Sequence, residues 1–372
     1  MNAQVVVVGA GYAGAVASKR LLSKDPSLQV TVVNPRAEFV ERIRLHQLAA
    51  GNHAASAPLS TALHRRARLV IGAVASIDAP GHVVHLVDGG SIPYDYLVYA
   101  VGSSARLDRI GGARENAFSV DEYDAAHRLR QRLAALPTGA PVVVVGGGLT
   151  GIETAAELAE QLPELAVTLV ASDRVAGDLH DKARATILRT LVAHSVEVLE
   201  GIRVTRIDEH KIELADGRVL PAECAIVAAG STVPDLAQRS GLTTDTDGRL
   251  LVDDTLTCPD QPDIVGAGDA VVIDGMPLRM SCQAATPLGA HAADTLRRRI
   301  AGRKPKTVDP QFVGRAISLG RGAAVVQRTD ADDNPCNLVV GGRAATLIKE
   351  QVCSYTLNWG VNPRRPVVAT WS

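Results

Sequence analysis

Two glycine runs carry the clearest chemistry in the chain. Gly9, Gly11 and Gly14 follow a β-branched run, QVVVV, at 4–8 and open an alanine-rich segment that ends near Leu22. Glycines at this spacing allow a tight turn, a backbone approach to a pyrophosphate with no side chain between, and close packing of helix on strand. Gly146, Gly148 and Gly151 repeat the pattern between PVVVV at 141–145 and the helical run IETAAELAEQL. The ribose acceptor of such a fold stands about 20 residues beyond the third glycine. That count reaches Asn34 from Gly14 and Ala171 from Gly151. A carboxylate at the second place would accept from both ribose hydroxyls and repel a 2′-phosphate. Ala171 removes it, Ser172 and Arg174 suit a phosphate, and Asp173 opposes one. NADPH is therefore expected to serve at least as well as NADH, with Ser172 and Arg174 in contact.

The elements that must hold these glycines follow one plan used twice. Strand, turn and helix lead to a second strand, QVTVV at 29–33 in the first half and AVTLV at 166–170 in the second. Asp88, Pro93 and Gly102 recur 128 residues later as Asp216, Pro221 and Gly230. The glycine motifs lie 137 apart, from Gly9 to Gly146, so the first half holds nine more residues between motif and DG turn. This extra length is placed between Pro35 and Leu63, read as a loop-rich addition and a natural seat for function. After Gly230, a short strand ends in GAGD at 266–269, and SCQAATPLGAHAADTLRRRIAG reads as a helix. The expected fold is α/β: two Rossmann-like dinucleotide-binding domains, the second inserted in the first, plus a small C-terminal α+β domain. Its expected divisions are 1–112 and 241–305 for the first domain, 113–240 for the second and 306–372 for the last.

Composition narrows the partners. Across 372 residues, 39 Lys and Arg stand against 40 Asp and Glu, a formal charge of -1 that provides no field for a nucleic-acid backbone. Aromatic residues are 3%, too few for base-stacking platforms. The apolar stretch 5–17 is broken by glycines and falls short of the roughly 20 residues of a membrane span. It lacks the basic flank and cleavage site of a signal peptide, so a cytoplasmic location is expected. The cysteines, Cys224, Cys258, Cys282, Cys336 and Cys353, are scattered without CxxC spacing or a nearby His. A disulfide framework, a metal site and a redox dithiol are not expected, and buried inert thiols are.

Two nucleotide folds, a GAGD sequence after the second and a small terminal domain resemble the two-dinucleotide-binding-domain flavoproteins, those of the pyridine nucleotide-disulfide oxidoreductase fold, over nearly the whole chain. The resemblance implies FAD at Gly9, Gly11, Gly14, Asn34, Gly102 and Asp269, with the backbone near Val74 against the adenine. It implies NAD(P)H at Gly146, Gly148 and Gly151, and Glu153 matches the family's glutamate at the start of the second helix. HQLAAG at 46–51 and GRAISLGRGAAVV at 314–326 resemble segments of type II NADH dehydrogenases. Apoptosis-inducing-factor-like and ferroptosis-suppressor-like NAD(P)H:quinone reductases share the plan. SCQAATPLGAHAA stands where type II enzymes carry AQxAxQ, a sequence associated with flavin and quinone. Gln283 matches its first glutamine, whereas Pro287 replaces the second. The redox cysteine pair of glutathione-reductase-like relatives is missing.

The implied chemistry is hydride transfer from NAD(P)H to FAD and then electron transfer to a quinone-like small molecule. Arg44, His46 and Gln47, in the added segment, are the flavin-proximal candidates: a cation would stabilise the reduced flavin's negative charge, and His46 would relay a proton near neutral pH. Lys349, beside Glu350, reads as a solvated helix-face lysine. Two alternatives stay open, a ferredoxin or rubredoxin reductase with a protein partner and a flavin redox sensor with slow turnover. A homodimer, and at most peripheral contact of Trp359, Arg364 and Arg365 with the inner face of a membrane, complete the expectations.

Overall fold

The four valines of the strand Gln4–Val8 are all buried, which is why this run is continuous rather than alternating: a parallel strand is covered on both faces. It pairs in parallel with Gln29–Asn34 on one side and Tyr96–Tyr99 on the other, with Val5 opposite both Val30 and Tyr96. Arg68–Ile71 extends this sheet at one edge. On the other side, Gln261–Gly266 aligns Ile264 with Leu97 and Thr257–Cys258 forms the edge, so residues from far along the chain complete the first fold. The computed structural model describes residues 3–276, 278–362, 365 and 371.

Between those two contributions lies a second parallel sheet, in the order 117–118, 224–227, 141–145, 166–170 and 197–199. The two halves also share a three-stranded antiparallel sheet, at 74–93 in the first and 204–221 in the second. The short strands Ser104–Ala105 and Ser231–Thr232 pair antiparallel where the chain passes between the folds. The architecture is that of two Rossmann-like units, one inserted in the other.

The helices, in chain order, are α1 (Tyr12–Lys24), α2 (Leu45–Ala50), α3 (Leu59–Ala62), α4 (Ala113–Asn116), α5 (Tyr123–Ala134), α6 (Leu149–Gln161), α7 (Asp181–Ala193), α8 (Leu236–Arg239), α9 (Cys282–Ile300) and α10 (Gly342–Tyr355). Helices α1 and α6 leave the two glycine turns, and α9 packs along α1. Gly289 makes that packing possible, since a Cβ there would collide with Ala13 O. The ion pair Arg20–Asp294, at 2.6 Å, ties the same two helices further along.

Residues 35–63 are not the loop that their composition suggested. Glu38–Val40 pairs with Ser56–Pro58, a 3-10 turn spans Arg42–Arg44, and α2 and α3 follow. Phe39, Leu45 and Leu48 are almost wholly buried, and α2 packs on α5 and α6. The segment thus forms a bridge from the first fold to the second.

The C-terminal part is an antiparallel sheet of Gly314–Ser318, Ala324–Thr329 and Pro335–Gly341, covered by α10 and continued by a π-helical turn, Thr356–Val361. Trp371 packs edge-on against Phe312, with ring centres 5.1 Å apart. The Trp359 side chain and Arg364 lie outside the described residues, and Arg365 is exposed. Among the described residues, no helix is long and apolar enough to cross a membrane.

Candidate functional site

A cavity of about 540 Å³ opens along the carboxyl ends of the first sheet. Its wall is contributed strand by strand: Gly72–Val74, Asn34, Gly9–Tyr12, Ala100–Ser103 and Ala267–Asp269. Those segments follow the sheet order from one edge toward the other, which is where an open α/β sheet binds an extended ligand.

The two glycine turns are the same mould. A methyl group at Gly9 would collide with Ala100 O, and one at Gly146 with Ala228 O. Gly14 and Gly151 are closed in the same way, by Gly9 O and Gly146 O. Gly11 and Gly148 face open space, and neither of the helices that they cap has a side chain bonded to its first N–H groups. A side chain at either place would fill the room a phosphate needs, so both turns fit a dinucleotide. At the first turn, Asn34 Oδ1 accepts from Ala10 N at 3.0 Å, and its amide donates to Arg36 O. Asn34 therefore orders the glycine loop as well as ending the strand.

Gly9, Gly11, Asn34, Val74, Gly102 and Asp269 all line the cavity, with Gly14 packed beneath it. Arg42 is the cation beside Asp269. It reaches Ser103 Oγ at 2.7 Å, Asp269 Oδ2 at 3.2 Å and Asp121 Oδ1 at 3.2 Å. Burial pushes the Asp121 carboxyl up, against the pull of Arg42.

Arg44 and Gln47 are corrected by the structure: neither lines the cavity. The 3-10 turn sends Arg42 and Arg44 in different directions, and Arg44 Nη2 meets Glu350 of α10 at 2.5 Å, while Nη1 bonds Gln47 Oε1 at 3.1 Å. Gln283 also turns from the cavity. In the orientation that satisfies its amide, it donates to Gly314 O at 3.0 Å and accepts from Val313 N at 3.1 Å. Its neighbours Ser281 and Cys282 form the wall instead. Cys282 was expected only as a buried inert thiol; it lines the wall, and burial pushes its thiol up to about 11, in keeping with an inert group. Pro287, in the next turn of α9, is buried.

The second fold reaches the same cavity through Thr150 and Glu153 of α6. Glu153 Oε1 accepts from Ser318 N at 2.8 Å and meets Lys349 Nζ at 2.7 Å; Lys349 also donates to Ala316 O. The solvated reading of Lys349 is thereby overturned. Burial opposes both charges, yet mutual attraction prevails, lowering the Glu153 pKa and raising that of Lys349. His46 joins the wall with 4% of its surface exposed. Burial pushes its pKa down to about 4, with Glu153 working against that and Lys349, Arg321 and Arg44 adding to it.

Beyond the second strand of the second fold the surface is open. Ser172 Oγ bonds Asp173, Arg174 pairs weakly with Asp181 at 3.4 Å, and both members of that pair are exposed. Glu200, at the end of the adjacent strand, accepts from Val175 N and grips Arg184. Among the described residues, no cluster of His, Cys, Asp or Glu is arranged to hold a metal ion.

Comparison with known proteins agrees with this geometry. Residues 3–289 match the model of the family described as pyridine nucleotide-disulphide oxidoreductase. An NADH dehydrogenase-like protein of Mycobacterium tuberculosis is 34% identical over 314 residues, covering 78% of each chain. A probable ferredoxin reductase of Castellaniella defragrans is 31% identical over 354 residues, 89% of this chain and 84% of that one. Among solved structures, the sulfide:quinone oxidoreductase of Aquifex aeolicus superposes with a TM-score of 0.84 at 19% identity, covering 99% of this chain and 93% of the other. The Plasmodium falciparum NDH2 complex with NADH gives 0.81 at 15% identity, with 96% and 95% covered. The chain belongs to the pyridine nucleotide-disulphide oxidoreductase family and is an NAD(P)H-dependent flavoprotein oxidoreductase of the NADH dehydrogenase-like type, using FAD and a nicotinamide nucleotide.

Proposed function

We propose that the protein takes hydride from NAD(P)H and delivers the electrons to a quinone-like small molecule. The observation that supports this reading is the meeting of Thr150 and Glu153, from the second glycine-turn helix, with the wall of the cavity built by the first. A nicotinamide held at Gly146, Gly148 and Gly151 is thereby directed into the space reserved for FAD. FAD, when bound, supplies the two-electron carrier between donor and acceptor. The chain supplies alignment and charge. Gly9, Gly11, Asn34 and the backbone near Val74 hold the nucleotide end, Gly102 and Asp269 line the far part of the cavity, and Arg42 fixes Asp269 through Ser103. Glu153, kept ionised by Lys349, holds a fixed charge where the nicotinamide enters.

The pure protein should be yellow, with one FAD per chain. Anaerobic titration with NADH and with NADPH, followed by turnover with a soluble quinone, tests the reading. A second reading, suggested by the Castellaniella defragrans relative, has a ferredoxin as acceptor. Rapid turnover with ferredoxin and none with quinones would select it, and a long-lived reduced complex with neither acceptor would select a redox sensor.

A further inference from the structure

Behind the cavity wall, two buried titratable atoms face each other without any other partner. His46 Nε2 and Glu157 Oε2 are 3.9 Å apart, and each lacks a hydrogen bond. Glu157 has no exposed surface, and its other oxygen, Oε1, accepts from Asn52 Nδ2 at 2.5 Å. Asn52 is exposed, so the carboxyl lies one residue from solvent on that side. His46 lines the cavity on the other. Glu157 also stands one helical turn beyond Glu153 on α6, on the face that meets the bridging segment. A buried polar pair left unsatisfied costs stability, which calls for an explanation in function.

We propose that His46 and Glu157 form a proton-transfer pair that carries a proton from the Asn52 surface through the wall to the reduced acceptor. The proposal rests on the functional reading above. Reduction of a quinone-like acceptor consumes NAD(P)H and one solvent proton, and yields NAD(P)+ and the two-hydrogen product. The solvent proton must cross the wall. The Glu157 carboxyl O–H gives its proton to His46 Nε2, and the Nδ1–H of the same ring gives one to the acceptor oxygen. Glu157 Oε1 regains a proton from solvent once the exposed Asn52 side chain moves off it, and rotation of the carboxyl and of the imidazole ring restores O–H at Oε2 and N–H at Nδ1, so charge and atoms balance. The 3.9 Å gap closes to hydrogen-bond length by a small side-chain movement.

The surroundings suit this exchange. His46 faces Glu153 and Glu157 of α6, Lys349 of α10, Arg321 of the hairpin between Gly314–Ser318 and Ala324–Thr329, and Arg44 of its own segment. Glu157 faces Asn52, Arg321, Glu160 and Glu153 as well. Burial favours the uncharged form of both partners, raising the carboxyl and lowering the imidazole, so a single proton moves between two neutral-leaning groups.

The test uses flavin-loaded full-length protein and compares a soluble quinone, which takes up protons, with ferricyanide, which takes only electrons. In Glu157→Gln, the ratio of quinone to ferricyanide turnover should fall by about ten-fold or more, and Glu157→Asp should recover part of it. In the wild type, the same ratio should decline as pH rises through the Glu157 pKa, and the variant should lose that dependence. Infrared spectra of the flavin-free protein provide a reading independent of turnover: a protonated-carboxyl band should titrate above the ordinary glutamate range and vanish in Glu157→Gln. An unchanged ratio and pH profile, or a band that survives the substitution, overturns the proposal. If Glu157→Gln fails to fold, His46→Asn is measured in the same way. Failure of the wild type to oxidise NAD(P)H with ferricyanide sinks the functional reading instead, and the infrared band still decides whether the pair holds a proton.

Discussion

The two glycine turns share their backbone fit and differ in what surrounds it. At Gly9, Gly11 and Gly14, the bridging segment, Arg42 and the Ala267–Asp269 turn enclose the ligand space. At Gly146, Gly148 and Gly151, the ground beyond the second strand is exposed, where Ser172 bonds Asp173 and Arg174 pairs with Asp181. On the proposed function, one mould serves two kinds of ligand. An enclosed site suits a cofactor that stays, and an open one suits a coenzyme that must leave after each turnover.

The largest effects should come from the glycines that close each mould. Gly14→Val and Gly151→Val force a side chain into Gly9 O and Gly146 O, and each should cost roughly 2–3 kcal/mol of stability by overpacking. Thermal melts measure that, and absorbance then separates the sites: the first variant should be colourless, the second yellow but not reduced by NAD(P)H. Gly11→Leu and Gly148→Leu sharpen the comparison, because no atom stands within 4 Å of either Cβ. Flavin-free stability should stay within about 0.5 kcal/mol, while Gly11→Leu loses flavin and Gly148→Leu loses only the coenzyme. A yellow Gly11→Leu protein would show that FAD lies elsewhere.

A smaller effect distinguishes the bridging segment, which has no counterpart beside the second turn. His46 is held near a pKa of about 4 against an ordinary 6.5. The unfolded chain binds a proton in that window that the folded chain does not, so stability should fall as pH drops from 6.5 toward 4. Glu157, raised by burial, acts with the opposite sign: its contribution is present below the ordinary glutamate value and is lost as pH rises through the raised one. Chemical denaturation across this range should flatten in His46→Asn and steepen in Glu157→Gln. The smallest effect belongs to the open site. Arg174→Ala should raise KM for NADPH a few-fold and leave that for NADH, because an exposed arginine gives a 2′-phosphate only a screened contact. Equal kinetics in the variant and the wild type would show that Arg174 is a turn residue alone.

The repeated plan was legible because it rests on sterics that leave a periodic mark: valines covered on both faces, and glycines where a Cβ has no room. The bridging segment was not, since its elements run from three to six residues and no hydrophobic period develops over so short a length. The choice between Arg42 and Arg44 depends on a single 3-10 turn, which spacing alone does not reveal. Helix α10 misled for another reason. It exposes Leu347 and Val352 and turns Lys349 inward, partly buried, against Glu153, the reverse of the usual amphipathic rule, because the partner is a charge on α6. Cys282 and Glu157 gave no signal that separates a wall residue from an ordinary buried one.

The late arrival of the strand Gln261–Gly266 beside Tyr96–Tyr99 governs the order in which a ribosome can release finished parts. The inserted fold, with strands between residues 117 and 227, emerges whole before the first sheet gains its neighbour. At roughly 5–20 residues per second, the Tyr96–Tyr99 edge waits on the order of ten seconds or more for its partner. During that interval an apolar strand with unpaired N–H and C=O groups is open to the wrong neighbour. Nascent chains stalled between the two strands should accordingly depend on chaperones, while the inserted fold on the same chain already resists proteolysis.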